Sequence, residues 1–374
     1  MHLHTLPWVS GSGINTFLSM KLVDSTKFRA SLACAPGGRL EDLVRANGFP
    51  FHSIRHFRQP LAPVHDLLAL FELIELFRRD RPGIVHTHNS KAGFLGRLAA
   101  RIVGGIKVVH TVHGFAFHDR EPAWRRALFR ALEQLAFRWA ARTIAISERL
   151  AEWGAAEGIG RREDYTIAWS GIEIERFADA DRVAGRRALG VTDDAILIGV
   201  VSKLWEGKGH GFLIEAAAPL LSDRVRLVFI GEGPLEEELR ARARMTGPLV
   251  ERNVLFAGFQ AETGAVTKAL DIAALPSEFE GMGRVLLEAQ AAGVPVVANR
   301  VGGVPDVVRD GGLLLAPGDR NGWREALRHL IEHPEDRRAL GERGRAFVKE
   351  RFSAATMART IEGVYDGLLN LDQM

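Results

Sequence analysis

Alternation is the feature that most constrains this chain. Short apolar runs recur between longer stretches whose apolar residues fall three and four apart. His2–Leu6, Phe28–Cys34, Phe51–Ile54, Ile84–His88, Val108–Val112, Thr143–Ile146 and Tyr165–Ala168 read as strands, and the stretch with Leu67, Leu68, Phe71, Ile74 and Phe77 reads as a helix. Strands separated by helical segments pair in parallel, with helices on both faces of the sheet. The pattern restarts after residue 190, with Ile196–Val201, Leu227–Ile230, Val254–Phe256, Ile272–Leu275, Pro295–Ala298 and Leu313–Leu315. Between the two sets, Phe177–Asp194 is polar and reads as a linker with a short helix. The expected fold class is α/β, with two Rossmann-like doubly wound domains at residues 1–180 and 181–350. A last helix, Pro334 to Leu371, has no strand partner, and its end (351–374) is expected to cross back to the first domain.

Composition narrows the class further. With 47% hydrophobic and 25% charged residues, the chain can bury two cores without covalent staples. Its single cysteine, Cys34, excludes an internal disulfide framework and a multi-cysteine metal site. Cys34 lies in a strand-type run and reads as core. No apolar run reaches 18 residues, and no basic segment precedes an apolar one at the start. A cytoplasmic protein is expected, peripheral at most on the inner face of the plasma membrane. The net charge of +3 divides unevenly, +6 over residues 1–180 and −3 beyond. A basic half can attract phosphates, anionic lipids or nucleic acid.

Ligands of doubly wound sheets bind where loops gather at the carboxyl ends of strands, and the informative residues follow strands here. After Ile272–Leu275 comes Ser277-Glu-Phe-Glu-Gly-Met-Gly-Arg, then a helical stretch to Ala292 and a turn at Gly293-Val-Pro. Glycines at a strand-to-helix junction let the backbone approach a ligand, and the helix start offers free N–H groups to an anion. Glu280 and Glu288 flank the junction, and carboxylates suit sugar and ribose hydroxyls. After Ile196–Val201, Lys203 and Lys208 are point charges suited to phosphate. In the first half, Val108-Val-His-Thr-Val-His-Gly-Phe-Ala-Phe-His gathers His110, His113 and His118, with His86 and His88 upstream. His110 and His113 point to different faces of an extended strand, and no acid or cysteine adjoins them at ligand spacing. Metal is therefore not expected. Asn89, Ser90 and Lys91 follow another strand, where Ser90 can cap a helix and Lys91 brings charge. Leu128, Leu132, Leu135 and Trp139 form an apolar stripe beside Arg125, Arg126, Arg130 and Arg138, a pattern shared by core-packed helices and helices lying on anionic membranes.

The paired-glutamate segment, Glu280-Gly-Met-Gly…Leu287-Glu-Ala…Ala292-Gly-Val-Pro-Val-Val, resembles the retaining glycosyltransferases of family 4, which have the GT-B fold. Gly199-Val-Val-Ser-Lys-Leu-Trp-Glu-Gly-Lys-Gly-His, Gly231-Glu-Gly-Pro-Leu, Gly302-Gly-Val-Pro-Asp-Val-Val, Gly11-Ser-Gly and Ser170-Gly-Ile agree, so the resemblance spans nearly the whole chain. It implies two domains facing across a cleft. It implies Lys203 and Lys208 on the donor diphosphate, with Lys203 standing where the family usually has arginine. Glu288 would hold the ribose and Glu280 the donor sugar, with Met282 and Gly283 contacting sugar and phosphate through their amides. In the first domain it implies Gly13 toward the donor and His113 beside the reacting sugar. Asn89, Lys91 and His118 would lie on the acceptor side. Members with His-Thr-His-x-Ser-Lys-Ala-Gly often build bacterial cell-surface polysaccharides on lipid carriers.

The implied reaction is retaining transfer from a nucleoside diphosphate sugar, most simply a UDP-sugar, to a hydroxyl of a glycan or lipid-linked acceptor. The departing phosphate takes the acceptor's proton, so neither metal nor cofactor is required. A UDP-sugar 2-epimerase would instead act without an acceptor, and a phosphorylase would need a lysine for pyridoxal phosphate, which nothing marks. A basic module for nucleic acid or lipid would show salt-sensitive binding without donor hydrolysis; no nucleic-acid partner is expected.

Overall fold

The computed structural model describes residues 1–59, 61–117 and 122–370. The chain divides into two compact units, one of Met1–Gly171 with the chain from Ala354 on, the other of Ile172–Ser353.

The first unit is built on a parallel seven-stranded sheet of β1 (His2–Leu3), β2 (Leu32–Cys34), β3 (Phe51–Ser53), β4 (Ile84–His88), β5 (Lys107–Val112), β6 (Arg142–Ala145) and β7 (Tyr165–Ile167), in the order β3-β2-β1-β4-β5-β6-β7. Every strand lies within or beside an expected run, but β1 and β2 are shorter than theirs. The His4 ring bonds the carbonyl of Leu6 at 2.8 Å, which turns the chain away after Leu3. Phe28 belongs to a turn, its amide donating to Asp24 O. On one face, helices Pro63–Asp80 and Ser90–Val103 bury Leu73, Phe77, Leu95 and Ala99 against Leu3, Val85 and Val108. On the other, helix Gly11–Leu22 and the C-terminal helix Ala354–Asn370 enclose Cys34, Val109 and Ile144 with Phe17, Ile361 and Leu368.

The single terminal helix expected from Pro334 to Leu371 is two helices, Pro334–Arg351 and Ala354–Asn370. Phe352 is buried, and its carbonyl accepts from Ile172 N at 2.9 Å. That bond draws the backbone out of the helical path, and Ile172 and Ser353 form a parallel bridge.

The second unit carries a parallel six-stranded sheet of β8 (Ile196–Val201), β9 (Val225–Ile230), β10 (Val254–Phe256), β11 (Ile272–Leu275), β12 (Val296–Asn299) and β13 (Gly312–Leu315), in the order β10-β9-β8-β11-β12-β13. In each sheet the strand order reverses once, at β1/β4 and at β8/β11. Loops leave such a point in opposite directions and open a crevice at the carboxyl ends of the strands.

The stretch expected as a polar linker is anchored. Within it, helix Arg182–Ala188 is capped by Asp181. Arg182 and Arg186 both reach Asp271, at 2.8 and 3.3 Å, and Asp271 also accepts from Leu197 N at 2.9 Å. Arg186 is 2% exposed. Removing one partner of a buried pair leaves the other charge uncompensated, at a cost of about 3–5 kcal/mol. Asp271→Ala is therefore expected to lower stability by about that amount, read from the urea midpoint; an unchanged midpoint would show that the pair does not hold this helix.

Candidate functional site

In the second unit the site begins where β11 ends. Asn299, at the end of neighbouring β12, donates from Nδ2 to Pro276 O (2.8 Å) and Ser277 O (3.1 Å) and accepts from the buried Trp323 Nε1 at 2.9 Å. The loop after β11 is thus hung from the adjacent strand. Glu278 N donates to Gly207 O at 2.8 Å, joining this loop to the one after β8. On its other side Gly302, at φ +47°, lies where a Cβ would meet Glu280 O at 1.8 Å, so only glycine fits. Gly283, at φ +74°, caps helix Arg284–Ala291 and gives its amides a free start.

Four charged side chains meet there as two pairs. Lys208 Nζ bonds Glu280 Oε1 at 2.6 Å, and Arg284 Nε bonds Glu288 Oε1 at 3.0 Å. Burial raises the Glu288 carboxyl above its ordinary range, opposed by the Arg284 guanidinium. Lys203 lies over the Trp205 ring, 5.1 Å from its centroid. Burial lowers its pKa, the Glu232 carboxylate opposes this, and the charge of Lys208 adds to the lowering. Met282 is buried. An ammonium and a carboxylate in contact present an anion partner and a hydroxyl acceptor side by side.

In the first unit the chemistry is nearly all histidine. His113 Nε2 contacts His88 Nδ1 at 3.0 Å, and His88 Nε2 contacts His2 Nδ1 at 3.0 Å. His110 is buried and bonds Thr87 Oγ1 at 2.9 Å. His2, His86 and His88 bring ring nitrogens within 4.8 Å of one another, a grouping able to hold a metal ion. Among the described residues, the charges acting on these three rings are those of other histidines and the amino terminus. Such surroundings favour neutral, hydrogen-bonded rings over a dication.

Asn89 ends β4 with φ +65° and ψ +159°, a region almost confined to glycine and costing about 1–3 kcal/mol. Its side chain spans to Thr5 N (3.4 Å) and Ser12 Oγ (3.3 Å), the loop after β1, and so knits the reversal point of the sheet. Asn89, not Ser90, is the N-cap of the following helix, and it makes no side-chain capping bond. Lys91 Nζ bonds Asp66 at 2.5 Å. The glycine turn expected at Gly11–Gly13 is instead the first turn of helix Gly11–Leu22, with the Gly13 amide donating to Ser10 Oγ. His118 lies outside the described residues.

The sequence singles out Lys208, Glu280 and Glu288 but not their pairing. Arg284, four residues before Glu288 on one helix face, carried a legible signal. Asn299 and Asp66 carried none, because each acts across a long stretch of chain.

Burial lowers His113 to about 3 and His4 to about 4, and pushes His2, His86, His88 and His110 below their ordinary value. Unfolding exposes these rings to protonation near 6.5. Their contribution is complete above that pH and is lost as pH falls toward 4, each ring by up to about 1.4 kcal/mol per pH unit. Melting temperature is expected to drop steeply from pH 7 to pH 5. His86→Gln should flatten that slope, and an equal slope in the variant would refute neutral burial.

The geometry agrees with similarities to known proteins. Residues 20–167 match the glycosyl transferase 4-like domain, and residues 195–333 match the glycosyl transferases group 1. The chain is 28% identical over 339 residues, 87% of its length and 86% of the relative's, to the Escherichia coli UDP-Gal:alpha-D-GlcNAc-diphosphoundecaprenol alpha-1,3-galactosyltransferase. It is 31% identical over 331 residues, 84% of each chain, to the putative glycosyltransferase EpsD of Bacillus subtilis strain 168. Among solved structures, Anabaena HepE in complex with UDP and glucose matches 98% of both chains with a TM-score of 0.84 at 23% identity. Two doubly wound units, each matching its own glycosyl transferase domain, place this chain among the glycosyltransferases of the GT-B fold.

Proposed function

We propose that this glycosyltransferase moves a sugar from a UDP-sugar to a hydroxyl of a lipid-linked glycan acceptor in cell-surface polysaccharide synthesis, with retention at the anomeric carbon. The observation that carries the reading is the Lys208–Glu280 pair at the mouth of the glycine-backed loop, beside Lys203 and the start of helix Arg284–Ala291. The UDP-bound HepE and the UDP-galactose-using relative support the nucleotide, and that relative's diphosphoundecaprenol supports the lipid carrier.

The bond from the anomeric carbon to the diphosphate oxygen breaks as the acceptor oxygen bonds that carbon from the same face. The acceptor's proton passes to the departing phosphate. Lys203, Lys208 and the amides at Met282 and Gly283 neutralise the leaving charge. Glu280 accepts from sugar hydroxyls and Glu288 from the ribose. The first unit contributes His113 to the donor sugar and Gly13 toward the donor, with Asn89 and Lys91 on the acceptor side. No metal or cofactor enters this scheme.

Peripheral membrane contact belongs to the same proposal. Helical periodicity groups Leu67, Leu68 and Phe71 with Ile74 and Phe77, yet only the last two are buried. Leu61, Val64, Leu67, Leu68 and Phe71 are all exposed, with Arg55 and Arg58 exposed just upstream. Helix Ala123–Phe137 is held by the buried Arg97–Glu133 pair (2.8 Å) and exposes Trp124, Leu128 and Leu135 beside Arg126. Both helices pack on Ser90–Val103. Among the described residues no helix is long and apolar enough to cross a membrane. Apolar side chains flanked by arginines suit the surface of an anionic bilayer.

Two measurements test the proposal. In a panel of nucleotide sugars read by released nucleotide, a UDP-sugar should turn over. Lys208→Ala and Glu280→Ala should each lower that rate by about 100-fold or more with circular dichroism unchanged; wild-type rates in both would remove the assignment. The chain should also float with phosphatidylglycerol vesicles but not with phosphatidylcholine vesicles, and Leu67→Asp with Phe71→Asp should abolish flotation. Flotation that ignores lipid charge or these substitutions would refute the membrane surface.

A further inference from the structure

Five hydrogen bonds run in series through the core of the first unit. His113 Nε2 meets His88 Nδ1 at 3.0 Å, and His88 Nε2 meets His2 Nδ1 at 3.0 Å. His2 Nε2 meets the Tyr365 hydroxyl at 3.4 Å, that hydroxyl meets His86 Nδ1 at 2.5 Å, and His86 Nε2 meets Thr111 Oγ1 at 2.7 Å. His2, His86, His88, Thr111 and Tyr365 are all buried, and His113 alone is partly exposed. The series therefore has one end within reach of a ligand.

We infer that Tyr365 fixes His113 as the Nε2–H tautomer, leaving Nδ1 as a hydrogen-bond acceptor for a hydroxyl of the bound substrate. A neutral imidazole has one donor and one acceptor nitrogen, so a series of such rings has only two senses. The tyrosine chooses between them. A phenol hydroxyl is a stronger acid than an imidazole N–H, and an imidazole lone pair is a strong acceptor. At the short 2.5 Å contact the phenol donates to His86 Nδ1. His86 then carries its proton on Nε2 and donates to Thr111. On the other side the phenol oxygen accepts from His2 Nε2–H, His2 Nδ1 accepts from His88 Nε2–H, and His88 Nδ1 accepts from His113 Nε2–H. The opposite sense would put a proton on His113 Nδ1 and suit a phosphate or carbonyl. The sense thus decides the ligand class, and the chosen one fits a sugar hydroxyl. Burial, which keeps these rings neutral, is what preserves the series. The identity of the ligand rests on the sugar-transfer reading; the tautomer does not.

Tyr365 is a positioning residue here, and its ring also packs edge-on against Phe28, 5.4 Å between centroids. Tyr365→Phe keeps that packing and removes only the hydroxyl. The test is long-range proton–nitrogen correlation on the full chain labelled with nitrogen-15 histidine, His113 being assigned by its loss in His113→Gln. The wild type should show His2, His86, His88 and His113 as Nε2–H tautomers, and Tyr365→Phe should show a mixture at His113. Thr111→Val, which removes the far acceptor, should also mix the tautomers, and it serves if the first variant does not fold. Turnover of the UDP-sugar should fall about tenfold in Tyr365→Phe, as for loss of one oriented hydrogen bond. An Nδ1–H ring at His113 in the wild type, unchanged tautomers in both variants, or stoichiometric Zn(II) binding that abolishes the ring N–H signals would overturn the inference. Failure of every nucleotide sugar to turn over, with the tautomers as expected, would instead strike the sugar-transfer reading.

Discussion

The second unit depends on how closely two of its loops approach each other's backbone. A Cβ at Gly209 would meet Pro276 O at 2.2 Å, so the loop after β8 lies directly against the end of β11. Everything chemical follows from that contact. It brings Lys208, on the first loop, within reach of Glu280, on the second. Asn299 fixes the second loop from the far side through two carbonyls, and Trp323 fixes Asn299. The geometry of the Lys208–Glu280 pair is therefore a product of main-chain contacts, and the charged side chains inherit it.

The two units differ in the groups that carry most of their buried polarity. The second pairs opposite charges, as in Arg186–Asp271 and Arg284–Glu288, so each desolvated ion keeps a counter-ion. The first holds such a pair, Arg97–Glu133, but most of its buried polarity is in uncharged rings that satisfy one another by hydrogen bonds. A file of neutral imidazoles is stable only while its members stay neutral. The first unit, which also carries the chain's positive excess, is accordingly sensitive to acid.

Much of this was legible in advance, for physical reasons. Parallel strands covered on both faces must be continuous apolar runs, and β4, β8, β10 and β11 could be read almost to the residue. Strand ends were less legible, because a single tertiary bond such as His4 to Leu6 O sets them. The break at Phe352 was invisible for the same reason: the segment is helical in pattern on both sides, and its interruption comes from pairing with Ile172. Periodicity correctly placed Leu67, Leu68 and Phe71 on a helix but left their exposure unread. A stripe of apolar residues shows which residues share a face but not what covers that face. At the site, residue types pointed to Lys208, Glu280 and Glu288, yet only the spacing of Arg284 and Glu288 signalled a pair, and nothing local showed that Lys208 meets Glu280. Tyr365 lies 279 positions from His86, and no local pattern encodes that meeting.

The departure of the chain at Gly171 and its return at Ala354 give the first unit an unusual birth order. A ribosome delivers its seven strands first, then the whole second unit, and only afterwards the helix that covers Val109 and Ile144 and supplies Tyr365. Until that helix emerges, one face of the first sheet is only partly covered and the file of histidines lacks its phenol. The second unit, by contrast, is continuous and can close as soon as it is made. The later-made half can thus complete its core before the earlier one, and a chain stopped just short of Ala354 would carry an intact second unit and an unfinished first.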